Sequence, residues 1–193
     1  MSGAATSIDA TLRVARSVAE VLAGHQADAV VVGAMALAIH NYPRDTVDLD
    51  LATAIDPRQL DAIAAELRAL GYEVDVHRPD PDDPLGGVLD VRGEGAILVQ
   101  VVNFSNPPAG GFPRLITDAL RHGYALAPGE PLVVTDLITL IAFKLYAGGA
   151  KSKLDILELL DRNPELELDE LRQRCRSYRL DRDLEAVLQM RSR

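Results

Sequence analysis

The chain has 193 residues, 48% of them hydrophobic, which is enough to bury a proper core and predicts one domain or one domain with a helical appendage. Its net charge of −9 argues against nonspecific attraction to a nucleic-acid backbone. The single cysteine, Cys175, excludes an internal disulfide and a cysteine-cluster metal site, and its neighbours indicate an ordinary helix surface. No apolar run is long enough to span a bilayer, so we expect a soluble, cytoplasmic protein.

The first half of the chain opens with a predicted helix and then a strand, turn and helix. Ser7 is a good N-cap for a helix whose apolar residues recur at helical spacing as far as Gly24. Residues 29–32 form a short apolar strand, Gly33 supplies a turn, and residues 34–40 favour a helix that a nearby proline ends. A second strand is predicted to follow.

That second strand, predicted from Thr46 to Ala52, carries two acids at alternate positions. Strand geometry places the side chains of Asp48 and Asp50 on one face. Two such carboxylates repel each other unless a cation lies between them, and oxygen ligands suit Mg²⁺ or Mn²⁺. Backbone N–H groups at Gly33 and Ala34 can hold phosphate oxygens. The pattern predicts a site for a metal and a nucleoside triphosphate; the alternative is an edge strand with solvated acids.

The glycine turn and short helix, followed by Arg44, Thr46, Asp48 and Asp50 at alternate positions, resemble the signature of the nucleotidyltransferase superfamily. Within that superfamily the match is closest to the minimal and toxin-type members, the AbiEii-like group of type IV toxin–antitoxin systems. The stretch from Pro131 to Leu160, with an aspartate, a lysine and a second aspartate spaced along helices, is similar to the helical part that follows the core in that group.

The resemblance implies an α/β fold in which a mixed sheet of the nucleotidyltransferase type is flanked by helices and followed by a helical C-terminal part. We place the core in residues 1–134 and the helical part in residues 135–193, with one continuous domain as the alternative. The implied activity is metal-dependent transfer of a nucleoside monophosphate from a nucleoside triphosphate to a hydroxyl acceptor. A toxin-type role with an antitoxin protein as partner is implied as well.

The resemblance also assigns roles to individual residues. The assigned residues are Asp48 and Asp50 as catalytic metal ligands, Gly33 and Ala34 as the phosphate cradle, and Arg44 or Lys144 as the cation that stabilises phosphate charge. Arg44 has a simpler alternative, which is to face water beside Asp45. We interpret His40 as a helix-terminal or core-edge residue and not as a base.

After the acidic strand, the pattern predicts a helix, a strand and a hairpin. The helix opens at Asp56 and Pro57 and ends near Gly71, and residues 72–77 form the strand, so a crossover makes the sheet at least partly parallel. Residues 79–87 read as a surface loop. Two further strand runs, at residues 88–91 and 96–104, suggest a hairpin.

The superfamily usually carries a third acid on this hairpin, and here the sequence departs from the pattern. In the register that we prefer, that position is occupied by Gln100, an amide that cannot accept a proton at neutral pH. Asp90 on the partner strand is the nearby acid that can substitute. The change favours an alternative function, a protein of the same fold that binds nucleotide or a protein partner without transfer. A purely structural partner protein is a third possibility.

The C-terminal part is predicted to begin with a helix capped by Thr135. Lys144 lies among its apolar residues and either extends from the core to solvent or points at a phosphate. Helical spacing in the next helix predicts ion pairs of Asp155 with Lys151 and of Glu158 with Arg162.

Two more helices are predicted within residues 166–193, as a cap on the core or as a surface for a partner. They carry the basic cluster that a nucleic-acid acceptor would need, which consists of Arg172, Arg174, Arg176, Arg179, Arg191 and Arg193. Because acids flank this cluster, we interpret it as a solvated helix face. The net charge likewise does not support a nucleic-acid acceptor, and no membrane partner is expected.

Overall fold

The computed structural model describes residues 7–80, 85–107 and 113–191. The loop predicted at residues 79–87 lies partly outside the described residues. Among the residues that are described, no helix is both long enough and apolar enough to cross a membrane.

The described residues form one seven-stranded sheet and eight α-helices. The strands are β1 (Ala29–Val31), β2 (Asp48–Thr53), β3 (Glu73–His77), β4 (Val88–Arg92), β5 (Leu98–Asn103), β6 (Tyr124–Ala125) and β7 (Val133–Val134). The helices are α1 (Ile8–Gly24), α2 (Gly33–Ile39), α3 (Leu60–Ala69), α4 (Pro113–His122), α5 (Leu137–Ala147), α6 (Gly149–Arg162), α7 (Leu168–Ser177) and α8 (Asp181–Arg191).

The sheet is mixed, in the order β3-β4-β5-β2-β1-β7-β6. Strand β2 pairs in parallel with β5, and β1 with β7, while the remaining neighbours are antiparallel. The predicted hairpin is β4 and β5. The predicted crossover is also present, since β3 follows α3 and runs in the same direction as β2, with β4 and β5 lying between them. The expected α/β fold, a mixed sheet with flanking helices, is confirmed.

The two faces of the β2 to β5 half of the sheet differ in burial. One set of alternate residues is fully buried and belongs to the core, beneath helices α1 and α3: Leu49, Leu51, Leu89, Val91, Val99 and Val101. The other set is partly exposed and polar near the middle of the sheet: Asp48, Asp50, Asp90 and Gln100. Period-two alternation therefore produces an aliphatic face under the helices and an open polar face.

The helical part is centred on α5, a helix that is buried on nearly every side. It packs against α2, α4, α6 and α7. Its N-cap is Asp136, whose carboxylate accepts a hydrogen bond from the backbone N–H of Thr139. The prediction that Thr135 caps this helix is therefore wrong by one residue, and the fully buried Thr135 instead continues the pairing next to β7 by donating its N–H to Val31.

Two interpretations made from the sequence are wrong at helix α7: that Cys175 lies on a helix surface, and that all the neighbouring arginines form a solvated face. Cys175 is fully buried, and burial raises the pKa of its thiol to about 12. Arg174 reaches α5, where its guanidinium forms hydrogen bonds of 2.7 and 3.1 Å with the two carboxylate oxygens of Asp136. One arginine of the cluster thus belongs to a packed helix interface and not to a solvated face, because α7 lies against α5.

Candidate active site

The two strand acids border a cavity of about 310 Å³. Asp48 and Asp50 stand on the open face of β2, which begins at Asp48 and not at Thr46 as predicted. The lining residues of the cavity are Arg44, Asp45, Thr46, Val47, Asp48, Asp50 and Lys151. The structure therefore brings both acids and Arg44 together, and it adds a lysine from the helical part.

Gly33 lies directly against the side chain of Asp50. Its φ is +63°, and a Cβ at this position would be 1.7 Å from Asp50 Oδ2, so no side chain fits here without displacing the carboxylate. The backbones also meet, because the N–H of Val32 donates to the carbonyl of Asp50 at 3.0 Å. The glycine bend is thus in contact with the acidic strand, but the lining of the cavity includes neither Gly33 nor Ala34, and Ala34 is buried at the start of the short helix α2.

Asp50 is a poorly compensated acid. Burial raises the pKa of its carboxyl to about 6, and the nearby charge of Asp48 adds to the shift. Lys144, Arg44 and Lys151 oppose the shift, but their charges do not cancel it. A bound divalent cation would supply the missing positive charge.

Asp48 is held by the residue that precedes the strand. The hydroxyl of Thr46 donates to Asp48 Oδ1 at 2.6 Å and also contacts the Asp48 carbonyl at 3.0 Å. Thr46 therefore fixes one carboxylate oxygen of Asp48 beside the cavity, which gives this residue a positioning contact where the sequence allowed a plain strand-edge role.

The buried acid Asp155 forms ion pairs with two of the cations near the site, Lys144 and Arg44. Only 3% of Asp155 is exposed, and its Oδ2 lies 2.7 Å from Lys144 Nζ and 3.7 Å from Arg44 Nη2. The predicted pair of Asp155 with Lys151 is wrong, because Asp155 points from α6 into the interface with α5. Lys144 accordingly ends in a buried ion pair, neither in open solvent nor in the lining of the cavity.

Two smaller predictions are realised nearby. Glu158 and Arg162 form the expected pair at 2.9 Å on the surface of α6. His40 follows α2 and its Nε2 lies 2.8 Å from the carbonyl of Thr135, with its ring edge-on to Tyr124. This is the structural role that the sequence indicated for His40.

Lys151 is the residue that the sequence reasoning did not assign to the site. The glycine pair Gly148 and Gly149, both at positive φ, separates α5 from α6 and turns the first residues of α6 toward the acids. Lys151 then lines the cavity and lowers the pKa of Asp50. A signal was present in the sequence, since Lys151 follows the glycine pair by two residues and stands at the start of a predicted helix, where phosphate groups are often bound.

Gln100 lies beside Asp50, as the preferred register predicted. The parallel pairing of β2 with β5 sets Asp50 opposite Gln100, and the antiparallel pairing of β5 with β4 sets Gln100 opposite Asp90. The amide nitrogen of Gln100 donates to Asp90 Oδ1 at 2.9 Å. Across residues 7–80, 85–107 and 113–191, no group of three or more His, Cys, Asp or Glu side chains is arranged to hold a metal.

Comparison with known proteins gives structural relatives only. No family model and no curated protein matches the sequence. The fold is similar to the crystal structure of an antigenic nucleotidyltransferase-like protein from Paracoccidioides brasiliensis, with a TM-score of 0.53, 16% identity, and coverage of 95% of this chain and 94% of that one. It is also similar to ANT(2")-Ia in complex with adenylyl-2"-tobramycin, with a TM-score of 0.51, 14% identity, and coverage of 87% and 96%.

The chain has a nucleotidyltransferase fold. The similarity extends over nearly the whole length of this chain and of both structures, so it includes the sheet and the helical part alike.

The nucleotidyltransferase fold here offers a donor set that fits one kind of cation. Mg²⁺ is usually bound through one or two carboxylates, with water and substrate phosphates as its other ligands. Asp48 and Asp50 supply two carboxylates at the border of an open cavity. The pKa of Asp50 is raised because the nearby cations of the chain do not fully offset its burial and the charge of Asp48. The residues present therefore fit Mg²⁺ or Mn²⁺ carried by a triphosphate.

Proposed function

We propose that this protein transfers a nucleoside monophosphate from a nucleoside triphosphate to a hydroxyl acceptor, with Mg²⁺ or Mn²⁺ as cofactor. The observation that carries the proposal is that Asp48 and Asp50 line one cavity together with Arg44 and Lys151, while Asp50 also lies directly against the Gly33 bend. A metal-bound polyphosphate requires acids that the chain neutralises only in part, cations that can contact phosphate, and backbone N–H groups that it can approach.

Each residue has a task in this reaction. Asp48 and Asp50 would hold the cation, and Gly33 and Ala34 would leave room for phosphate oxygens at their backbone N–H groups. Bound there, the cation would offset the charge that develops on the transferred phosphoryl group. Arg44 and Lys151 would neutralise the phosphates directly, and the buried Nε of Arg44, which has no hydrogen-bond partner among the described residues, is a donor available to them.

Lys144 has an indirect task in this proposal. Its ammonium is engaged by Asp155 at 2.7 Å, and the same carboxylate lies 3.7 Å from Arg44. Asp155 would therefore set the position of both cations behind the phosphate site. Phosphate binding by Lys144 itself, which the sequence resemblance implies, would require this ion pair to rearrange.

A small hydroxyl-bearing molecule is a reasonable first acceptor to test. ANT(2")-Ia, which has a similar fold, is in complex with adenylyl-2"-tobramycin. The net charge of −9 also favours a neutral or cationic acceptor over a polyanion.

The experiment combines labelled nucleotides with three sources of acceptor. Purified protein is incubated with each of four α-labelled nucleoside triphosphates, Mg²⁺ or Mn²⁺, and tobramycin, total tRNA or cell extract, and pyrophosphate release and label transfer are measured. We expect release that Asp48→Ala or Asp50→Ala lowers by at least about 10³-fold. Asp75→Ala, an exposed acid of the same sheet face, serves as the matched control and should retain activity.

The toxin-type role with an antitoxin partner belongs to this proposal and rests on the sequence resemblance. Induced expression should arrest growth of the host cell, Asp48→Ala should relieve the arrest, and co-expression of the neighbouring gene product should neutralise it. Growth that is equal for the wild type and Asp48→Ala would contradict the toxin-type role and leave the transfer activity standing.

The second candidate function is nucleotide binding without transfer, and Gln100 is the observation that favours it. Gln100 occupies the position beside Asp50 where a third carboxylate would act, and it cannot accept a proton. Binding of a triphosphate by the wild type, without pyrophosphate release in any combination above, would establish this function in place of the first. Absence of any triphosphate binding would contradict both.

A further inference from the structure

We infer that Asp90 is the group that accepts the proton of the attacking hydroxyl, and that Gln100 and His77 position it. This inference rests on the proposed transferase function and deepens it, because it names the acceptor side of the same site. A row of polar side chains crosses the open face of the sheet and includes Asp90.

The row is defined by strand register. Asp50, Gln100 and Asp90 are opposite one another on three adjacent strands, β2, β5 and β4. Adjacent strands are about 4.8 Å apart, so the Cα atoms of Asp50 and Asp90 are separated by roughly 10 Å and their side chains share one face. A hydroxyl held above Gln100 would thus lie between the two acids, within about 5 Å of each strand.

The carboxylate of Asp90 is oriented on both sides. Gln100 Nε2 donates to Oδ1 at 2.9 Å, while Oδ2 lies 3.2 Å from His77 Nε2 and 3.9 Å from Arg92 Nη2. Only 14% of the Asp90 side chain is exposed, whereas 60% of the His77 side chain is exposed. The acid is therefore held on the face of the sheet and linked to solvent through an imidazole.

This arrangement can supply what Gln100 cannot. The acceptor oxygen attacks the α-phosphorus, the new P–O bond forms, and the bridging bond between the α- and β-phosphates breaks, so pyrophosphate leaves with the electron pair. The hydroxyl proton passes to the carboxylate of Asp90 and from there, by way of His77, to water. Gln100 keeps the carboxylate turned toward the acceptor and does not exchange protons itself.

The alternative role of these contacts is structural, as a row of surface hydrogen bonds on a solvated sheet face. The structural and the catalytic role have different measurable consequences. A structural ladder affects folding and nucleotide binding together, whereas a proton acceptor affects turnover while nucleotide binding stays intact.

The test compares Asp90→Asn with Asp75→Asn in the full chain. Asp75 is opposite Asp90 on β3, on the same face and one strand further from Asp50, and it pairs with Arg92 at 2.6 Å. Binding of the Mg²⁺ complex of a nonhydrolysable α,β-methylene triphosphate is measured by calorimetry, folding by thermal melting, and turnover by pyrophosphate release with the acceptor that the wild type uses.

We expect Asp90→Asn to lower kcat by about 100-fold or more, with nucleotide affinity and melting temperature close to those of the wild type. His77→Gln should lower kcat by a smaller factor, and Asp75→Asn should stay within about threefold of the wild type. Recovery of turnover in the double variant Asp90→Asn with Gln100→Asp, which moves the carboxylate one strand, would support the assignment further.

Two results would overturn the assignment. One is turnover of Asp90→Asn within threefold of the wild type, and the other is a loss of nucleotide affinity that equals the loss of turnover. Both require an active wild type, so they are distinct from failure of the proposed function, in which the wild type itself releases no pyrophosphate.

Discussion

Asp50 on the sheet and Asp136 at the start of α5 are both largely withdrawn from solvent, yet the pKa values of their carboxyls move in opposite directions. Burial acts to raise the pKa in both cases. At Asp136 the hydrogen bonds from Arg174 and Thr139 outweigh burial, so the pKa ends below its ordinary value. At Asp50 the charge of Asp48 adds to burial, and the pKa rises to about 6.

The difference separates an acid that the fold neutralises from one whose charge the fold leaves largely uncompensated. Asp136 receives its cation from within the chain, through two hydrogen bonds to Arg174, and in return it ties α7 to α5. Asp50 faces a cavity, and its nearest contact on one side is a glycine without a side chain. An acid that the fold leaves uncompensated beside a cavity is a candidate for binding an external cation.

The largest effect is expected from breaking the ion pair between Asp136 and Arg174. Asp136→Asn should lower the free energy of unfolding by about 3 kcal/mol, because it leaves the mostly buried guanidinium of Arg174 without its carboxylate. Urea denaturation followed by circular dichroism measures the change. Asp169→Asn on α7, whose side chain is almost fully exposed, is the control and should change stability by no more than about 0.5 kcal/mol.

Replacement of Asp50 by asparagine is expected to raise the free energy of unfolding in the absence of metal, opposite to the effect of Asp136→Asn. Because its folded-state pKa is raised, the unfolded chain releases this proton first, so the contribution of Asp50 to stability falls as pH rises from about 4 to about 6. A shift from 3.8 to about 6 corresponds to about 3 kcal/mol, fully lost above pH 6. Asp50→Asn should therefore be more stable than the wild type at pH 8 by up to that amount, and equally stable at pH 4.

Denaturation at several pH values, with and without Mg²⁺, tests this expectation. Mg²⁺ should stabilise the wild type at pH 8 and leave Asp50→Asn unchanged, since a ligand stabilises only the state that binds it. An Asp50→Asn variant less stable than the wild type at pH 8 would show that this carboxyl is compensated after all, and the contrast with Asp136 would fail.

A smaller effect on stability is expected from a change at Gly33, which contacts the uncompensated acid Asp50. Gly33→Ala should destabilise the protein by about 1–3 kcal/mol and abolish Mg²⁺-dependent nucleotide binding, because the new Cβ would displace the carboxylate. Gly129→Ala is the matched control, with a φ of +78° and open space around it, so it reports backbone strain alone.

A double variant isolates the clash at Gly33. Asp50→Ala removes the atoms that the new Cβ would meet, so Gly33→Ala should cost less stability in that background than in the wild type. Thermal melts of the four proteins in this cycle measure the coupling. Additive losses would mean that the glycine is needed for its φ and not for the space it leaves to Asp50.

The smallest effect is expected from Lys151, which compensates Asp50 only in part. Lys151→Ala should raise the KM for the nucleoside triphosphate by roughly tenfold, equivalent to about 1.4 kcal/mol, through loss of one phosphate-facing charge. Lys153→Ala, two residues further along the same helix and also exposed, should leave KM unchanged. Equal KM values for the two variants would place Lys151 outside the nucleotide site.

The predictions made from the sequence held where they depended on local geometry. Alternation along β2 placed Asp48 and Asp50 on one face, and the register put Gln100 beside Asp50. They failed where a side chain found a partner far away in the chain. Helical spacing paired Asp155 with Lys151, but burial of Asp155 between α5 and α6 favours Lys144 and Arg44. The boundary at residue 134 stays a prediction.

Sequence by itself determined the mixed α/β fold and the strand that carries the two acids, because period-two and period-3.6 patterns are properties of neighbouring residues. Only the tertiary structure decided which acids are neutralised. Arg174 reaches Asp136 across 38 residues, whereas no cation is brought into direct contact with Asp50 among the ion pairs of the described residues. Compensation of a buried charge depends on which helices pack together, and that information is not contained in local spacing.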